Sequence, residues 1–118
     1  MGMGSAPYEA DFRVSVSHDG GRRVITALGE LDLASADAFG ALLREQLAEG
    51  PVLLDLSALA FMDSSGVREL DAVLGDADRA GWTLAVRPEL HENVRQILRM
   101  TGLIDHLPLA PADGAQER

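Results

Sequence analysis

The chain has 118 residues, a formal net charge of -9 and a pI of about 4.6. This length is typical of one domain with a single hydrophobic core. The sequence contains no cysteine and no lysine, which excludes disulfides, thiolate metal sites, cysteine nucleophiles and lysine-based catalysis. An acidic surface without a block of basic residues repels phosphate backbones, so we expect no nucleic-acid partner.

No apolar run reaches the roughly 18 residues that cross a bilayer, and residues 1–7 lack the features of a signal peptide. We therefore expect a cytoplasmic protein with no membrane partner, which is a monomer or a weak dimer. The predicted organisation is a flexible N-terminus over residues 1–9, one domain over residues 10–110, and a flexible tail over residues 111–118.

The chain opens with a pattern typical of a β-hairpin. Residues 12–17 alternate apolar and polar side chains, as a half-buried strand does. A turn signal at residues 19–21 precedes a second strand over residues 24–28. Residues 29–32, with the sequence Gly-Glu-Leu-Asp, are expected to lead out of the sheet.

The rest of the chain alternates between helical and strand patterns. Ser35 is a candidate N-cap for a first helix over residues 36–48, followed by a nearly continuous apolar strand over residues 52–56. A second helix is predicted from Ser64 or Ser65 to about residue 80, and then a strand over residues 82–86.

Pro88 is expected to open a third helix, which ends just before Gly102. Residues 103–109 are a short strand or a docked segment. This order predicts a single α/β domain, in which a hairpin precedes alternating strands and helices and the sheet is mixed but mostly parallel.

The most informative segment for chemistry lies between the third strand and the second helix. In open α/β sheets, sites form beyond the carboxyl ends of the strands. Ser64 and Ser65 follow Asp63 at a predicted helix N-terminus, where free amides and the helix dipole favour an anion. A serine at this position is an N-cap by default. Gly66 allows either close approach of another backbone or a tight first turn.

Three motifs together resemble a known family. Residues 59–67, with the sequence Leu-Ala-Phe-Met-Asp-Ser-Ser-Gly-Val, look like the signature of the anti-sigma factor antagonists, which are bacterial STAS-domain proteins. Residues 29–32 resemble the second motif of that family, and residues 94–107 resemble the end of its third helix. The resemblance covers about residues 10–109 and implies a STAS-like fold.

The resemblance implies a phosphorylation switch rather than an enzyme. In such families an anti-sigma factor, itself an ATP-dependent serine kinase, phosphorylates the serine that follows the aspartate, which here is Ser64. The unphosphorylated form binds the kinase and frees a sigma factor, and a serine phosphatase resets the switch. The domain itself would hold no cofactor. The implied partner-binding residues are Asp32, Asp63, Ser65 and Gly66, with Met62 and Val67 as apolar contacts or as core residues.

Other function classes fit the sequence less well. A response-regulator receiver would use Asp55 as its phospho-acceptor but requires a lysine, so Asp55 is expected to be a strand-end residue bonded to nearby backbone. A serine hydrolase requires glycine where Met62 stands, and the chain's three histidines, His18, His91 and His106, show neither triad nor metal-ligand spacing.

Two points stay open from sequence alone. A STAS module can also act as a scaffold in a stress-signalling assembly or as an accessory subunit of a lipid transporter, without a kinase switch. Arg68 departs from the expected small or apolar residue. It could pair with a phosphate on Ser64 or form a salt bridge with Asp71, three residues further along the helix.

Overall fold

The computed structural model describes residues 11–111. Within that range the chain forms five strands, three α-helices and one 3-10 turn. In chain order these are β1 (Phe12–Asp19), β2 (Arg22–Leu31), α1 (Leu33–Glu49), β3 (Val52–Asp55), β4 (Leu59–Met62), α2 (Ser64–Ala80), β5 (Leu84–Val86), α3 (Glu92–Met100) and the 3-10 turn (Leu103–His106). The flexible ends predicted over residues 1–9 and 111–118 lie outside the described residues, apart from Pro111.

The predicted opening hairpin is confirmed. Strands β1 and β2 pair antiparallel, with Phe12 opposite Gly29 and Asp19 opposite Arg22. The two connecting residues, Gly20 and Gly21, have φ values of 61° and 88°. A two-residue loop with positive φ at both positions matches the right-handed twist of the strands that it joins.

Strand β2 is the centre of the sheet because it pairs with three other strands. The sheet order is β1-β2-β3-β5, and β4 pairs with β2 off this path. The first half of β2 runs parallel to β3, and its last residues run parallel to β4, with an irregularity between Gly29 and Glu30. Residues 29–31 therefore do not leave the sheet as predicted; they extend β2 as far as Leu31.

The sequence predicts no strand between the third strand and the second helix, but residues 59–62 form β4. A run of four residues shows no reliable periodicity, and its partner is a distant part of β2. The α/β class and the mixed, mostly parallel sheet are confirmed.

The helices cover the sheet through their apolar positions. Phe39, Leu43 and Leu47 of α1 are at most 2% exposed, and the second predicted stripe, on α2, is also buried at Val67, Leu70, Val73 and Ala77. These residues pack with β2, β3, β4 and β5 in one core. Strand β3 is buried at Val52, Leu53 and Leu54, as its continuous apolar run predicts.

The first helix begins earlier than predicted. Its N-cap is Asp32, whose carboxylate accepts a 3.1 Å hydrogen bond from the Ala34 amide. Ser35 is not the cap but the third helical residue, and its hydroxyl accepts a 3.0 Å hydrogen bond from the Asp32 amide. This reciprocal capping box satisfies two backbone donors that would otherwise be free.

The third helix begins later than predicted. Pro88 precedes it by several residues, and the N-cap is His91, whose Nδ1 accepts a 3.2 Å hydrogen bond from the Asn93 amide. Of the two alternatives for residues 103–109, a short strand or a docked segment, the structure has the docked segment. Leu103–His106 form the 3-10 turn, and Leu109 then forms an isolated parallel bridge with Val86.

Candidate functional site

The site lies at the edge where β2 and β4 end side by side. Leu31 and Met62, the last residues of these parallel strands, are register partners. The Asp63 amide donates a 3.1 Å hydrogen bond to the Leu31 carbonyl. Asp32 and Asp63 directly follow the two strands, so the topology brings both aspartates to one edge of the sheet, as the two motifs predict.

Asp63 is the N-cap of α2. Its Oδ1 accepts hydrogen bonds of 2.9 Å from the Ser65 amide and 3.2 Å from the Gly66 amide. The prediction that a serine caps this helix is therefore wrong. Aspartate caps at least as well as serine, and its negative charge also complements the positive end of the helix dipole.

The side chain of Ser64 contributes no hydrogen bond to the described part of the fold. It is the first residue of α2 and is exposed. Within residues 11–111 its hydroxyl has no hydrogen-bond partner, because Asp63 has taken the capping position. Chemical modification of this hydroxyl would break no hydrogen bond within the described residues. Ser65 is partly buried beside it, and its amide is bound by the cap.

Gly66 allows the first turn of α2 to pack directly against the ends of β2 and β4. A Cβ atom at this position would lie 2.8 Å from Met62 Cγ and 2.9 Å from Leu31 Cγ. The close contact expected at Gly66 is therefore made by the side chains of Met62 and Leu31 and not by another backbone. It leaves no room for a methyl group. Met62 and Val67, only 1% and 8% exposed, belong to the core.

Two large apolar side chains next to the site are exposed, and the sequence did not single them out. Leu33, which follows Asp32, is 79% exposed, and Phe61, which precedes Met62, is 42% exposed. An apolar residue beside a buried strand end is more often part of the core, so the pattern alone gives no signal. They add apolar area to a surface that otherwise carries acidic groups.

The comparison with protein families decides the identity of the domain. Residues 13–113 match the family model described as STAS domain. The chain belongs to the STAS domain family. A comparison with curated proteins gave no match.

Solved structures similar to this STAS domain include antagonists of anti-sigma factors. An anti-sigma factor antagonist from Mycobacterium paratuberculosis is 26% identical, with a TM-score of 0.73 over 86% of this chain and 87% of that one. An antisigma-factor antagonist STAS domain from Rhodobacter sphaeroides is 32% identical, with a TM-score of 0.52 over 66% and 87%. The Bacillus protein SpoIIAA in its phosphorylated form is 20% identical and shares the fold, with a TM-score of 0.60 over 91% and 97%.

A groove beside Ser64 separates α2 from the 3-10 turn of the STAS domain. Its volume is about 460 Å³, and its lining residues are Ser64, Val67, Arg68, Asp71, Thr101, Gly102, Leu103 and His106. Arg68 is exposed. In the part of the chain that the structure describes, it makes no ion pair, so the salt bridge to Asp71 that was one of its two expected roles is not formed.

The candidate phospho-acceptor of the receiver interpretation, Asp55, has other partners. Asp55 accepts hydrogen bonds from the amide and hydroxyl of Ser57, at 2.9 and 2.7 Å, and its Oδ2 lies 3.4 Å from Nε of Arg87. Within residues 11–111 no group of three or more His, Asp or Glu side chains could hold a metal ion. None of the helices in that range has the length and apolar composition that a membrane-spanning segment requires.

Proposed function

We propose that this STAS domain is an anti-sigma factor antagonist, a non-enzymatic regulator that binds an anti-sigma factor serine kinase and thereby frees a sigma factor. Phosphorylation of Ser64 switches it off, and a serine phosphatase resets it. The observation that carries the proposal is the exposed, unbonded hydroxyl of Ser64 at the first position of α2. The likeness to the Mycobacterium paratuberculosis antagonist supports it. The place of action is the cytoplasm, where ATP is available to the kinase.

The modification needs nothing from the STAS domain except the serine. Ser64 Oγ forms a bond to the γ-phosphorus of ATP, the bond from that phosphorus to the β–γ bridging oxygen breaks, and ADP leaves. The hydroxyl proton passes to a base of the kinase. ATP and Mg²⁺ are thus held by the kinase, and the antagonist is its substrate.

The charge of the phosphate would act differently on the domain and on the interface, so that the partner is released without unfolding of the domain. The phosphate adds about 1.5 to 2 negative charges at neutral pH, and the α2 N-terminus stabilises such a charge by about 0.3–1 kcal/mol. An acidic group of the partner about 5 Å away would be repelled by roughly 3 kcal/mol at an effective dielectric near 20. A hundredfold loss of affinity needs only about 2.8 kcal/mol.

The docking surface would combine the acidic groups with the apolar side chains beside them. Asp32 and Asp63 flank Ser64 at the same sheet edge, and both keep one carboxylate oxygen in a helix cap. Leu33 and Phe61 supply exposed apolar area. A buried apolar contact with a polar surround is the usual composition of a specific interface.

The first test locates the phosphate. The purified chain is incubated with ATP, Mg²⁺ and a lysate of its source organism, and the modified peptide is identified by mass spectrometry. We expect phosphate on Ser64, no modification of Ser64→Ala, and phosphate still on Ser64 in Ser65→Ala, its matched neighbour. Phosphate on Ser65 or elsewhere would overturn the assignment. No phosphate in a lysate with an active kinase would favour a scaffold or a transporter subunit.

The second test measures binding to the kinase partner. Ser64→Ala is expected to fold normally, with a free energy of unfolding within about 0.5 kcal/mol of the parent, and to bind the kinase whether or not ATP is present. Ser64→Asp is expected to bind more weakly, because it introduces a negative charge at the centre of the interface. Equal affinity of the two variants would contradict the charge mechanism.

A further inference from the structure

Ser64 and Arg68 face the same groove from one helix. They stand four residues apart on α2, and side chains at this spacing are neighbours on a helix surface, with Cβ atoms about 5–6 Å apart. Both line the groove of about 460 Å³ whose opposite wall contains His106 of the 3-10 turn. The long arginine side chain therefore reaches the space that a phosphate on Ser64 would occupy.

Arg68 differs from the other arginines of α1 and α2. Arg44 of α1 binds Glu69 and Asp76 at 2.7 Å each, and Arg79 of α2 binds Asp76. Arg68 makes no ion pair with any residue of the described range 11–111, although Asp71 lines the same groove. Folding of α2 does not explain this residue.

We propose that Arg68 is an intramolecular acceptor for the phosphate of phosphorylated Ser64, which rests on the proposed function for the identity of the modified residue. A guanidinium binds phosphate oxygens through two parallel N–H groups, and its planar fork suits this better than a lysine ammonium would. The charged or titratable groups that face the groove are Arg68 and Asp71 from α2 and His106 from the 3-10 turn. Asp63 caps the same helix end.

This contact gives phosphorylation a second effect on the interface. Before modification, Arg68 is an exposed cation that an acidic group of the kinase can bind. After modification, the phosphate engages Arg68 and withdraws it from that partner. The switch would then remove one attractive charge and add a repulsive one within a single helical turn.

The test uses phosphoserine that is introduced at position 64 during translation, so that no kinase is needed. The second pKa of the phosphate is followed by ³¹P NMR; it is about 6 for a free phosphoserine. All proteins carry His106→Gln, so that no imidazole lines the groove that the phosphate faces. Arg68→Gln is expected to raise the phosphate pKa by about 0.2–0.7 pH units, which corresponds to an exposed ion pair.

Matched variants separate this contact from general charge effects. Arg79→Gln removes the same charge from the last turn of the same helix, about 22 Å from Ser64 along the helix axis, and is expected to leave the phosphate pKa unchanged. Arg68→Lys keeps the positive charge, so the phosphate pKa is expected to stay close to its value in the protein with Arg68. An unchanged phosphate pKa in Arg68→Gln, or an equal change in Arg79→Gln, would overturn the proposal.

The outcome is independent of whether the switch itself is correct. If the lysate experiment finds no kinase for Ser64, the proposed function fails, but the titration of the installed phosphate still reports whether Arg68 binds it. If Arg68 does not bind it, the kinase switch can still operate through the added charge alone.

Discussion

The backbone amide of Asp63 donates a hydrogen bond to the carbonyl of Leu31. This bond extends the pairing of β2 and β4 by one residue, up to the point where α2 begins. Leu31 is followed directly by Asp32, the N-cap of α1, and Asp63 is itself the N-cap of α2. The N-termini of both helices therefore lie next to this one hydrogen bond between β2 and the end of β4. The position of Ser64 is therefore set by the sheet and not by a loop.

The first prediction separates the two contributions of Asp63. Asp63→Ala removes the cap of α2 and is expected to lower the free energy of unfolding by about 0.5–2 kcal/mol. Asp63→Asn keeps a side-chain oxygen for the Ser65 and Gly66 amides but removes the charge, and is expected to lose a few tenths of a kcal/mol. Urea unfolding of the parent and of the two variants measures both losses in the free energy of unfolding. An equal loss in the two variants would show that the charge, rather than the hydrogen bonds, stabilises the helix start.

A second prediction concerns the packing of Gly66 against the strand ends. Gly66→Ala places a methyl group within 3 Å of Met62 and Leu31 and is expected to cost about 1–3 kcal/mol of stability. Gly75→Ala lies on the same helix, where the nearest atom is Arg79 Nη1 at 3.4 Å. It is expected to gain about 0.5–1 kcal/mol, the usual benefit of alanine within a helix.

Thermal or urea unfolding of both glycine variants checks this pair. Since both substitutions add the same methyl group to α2, their difference isolates the contact with the sheet. A Gly66→Ala variant as stable as Gly75→Ala would mean that α2 can shift at no cost, and that its start is not fixed by Met62 and Leu31.

Gly29 gives the third prediction. Its φ is 96°, and a Cβ atom there would lie 1.8 Å from the Asp11 carbonyl oxygen. Gly21 has a similar φ of 88° but nothing within 4 Å. Gly21→Ala is expected to cost about 1–2 kcal/mol from backbone strain alone, whereas Gly29→Ala adds about 1–3 kcal/mol from the clash. Equal unfolding midpoints for the two variants would contradict the clash.

Acid sensitivity is the subject of the fourth prediction. Hydrogen bonds from Arg44, and next from Arg79, hold the pKa of Asp76 below its ordinary value of 3.8. A carboxylate with a lowered folded-state pKa contributes stability above the unfolded-state pKa, and this contribution is lost as the pH falls through the folded-state value. Asp76→Asn is thus expected to be less stable than the parent near neutral pH, with a difference that shrinks below about pH 3.8.

Chemical denaturation at several pH values between neutral and acid measures this difference. Asp78→Asn is the matched control, because Asp78 is an exposed residue of the same helix that makes no ion pair with the residues in the range 11–111. Its change in stability gives the effect of removing one negative charge from α2 without breaking an ion pair. A pH dependence that is the same for both variants would exclude a specific role of the Arg44 pair.

Much of the fold could be predicted because local patterns determine it. The helix over residues 64–80 has a regular apolar stripe and ends at Gly81, whose left-handed φ of 75° is the usual helix stop. The buried strand β3 is a continuous apolar run. Strand β4 could not be predicted, since its formation depends on the far half of β2 and on a register that no local pattern encodes.

The sequence predicted which residues meet at the candidate site but not how they are bonded. Asp32 and Asp63 were expected at one surface, and the topology brings them there. Their roles as helix caps could not be predicted because a cap is defined by where the preceding strand ends. Strand β2 runs further than its pattern suggests, and no local pattern predicts β4. A salt bridge from Arg68 to Asp71 is one of the two roles that the sequence leaves open for this arginine, and only side-chain positions could exclude it.

The free hydroxyl of Ser64 also makes this position a suitable attachment point for a reporter. The chain contains no cysteine, so Ser64→Cys would create a single thiol at an exposed position whose side chain forms no hydrogen bond within residues 11–111. A fluorophore attached there would report the arrival of a protein at this edge of the sheet, with no background from other sites.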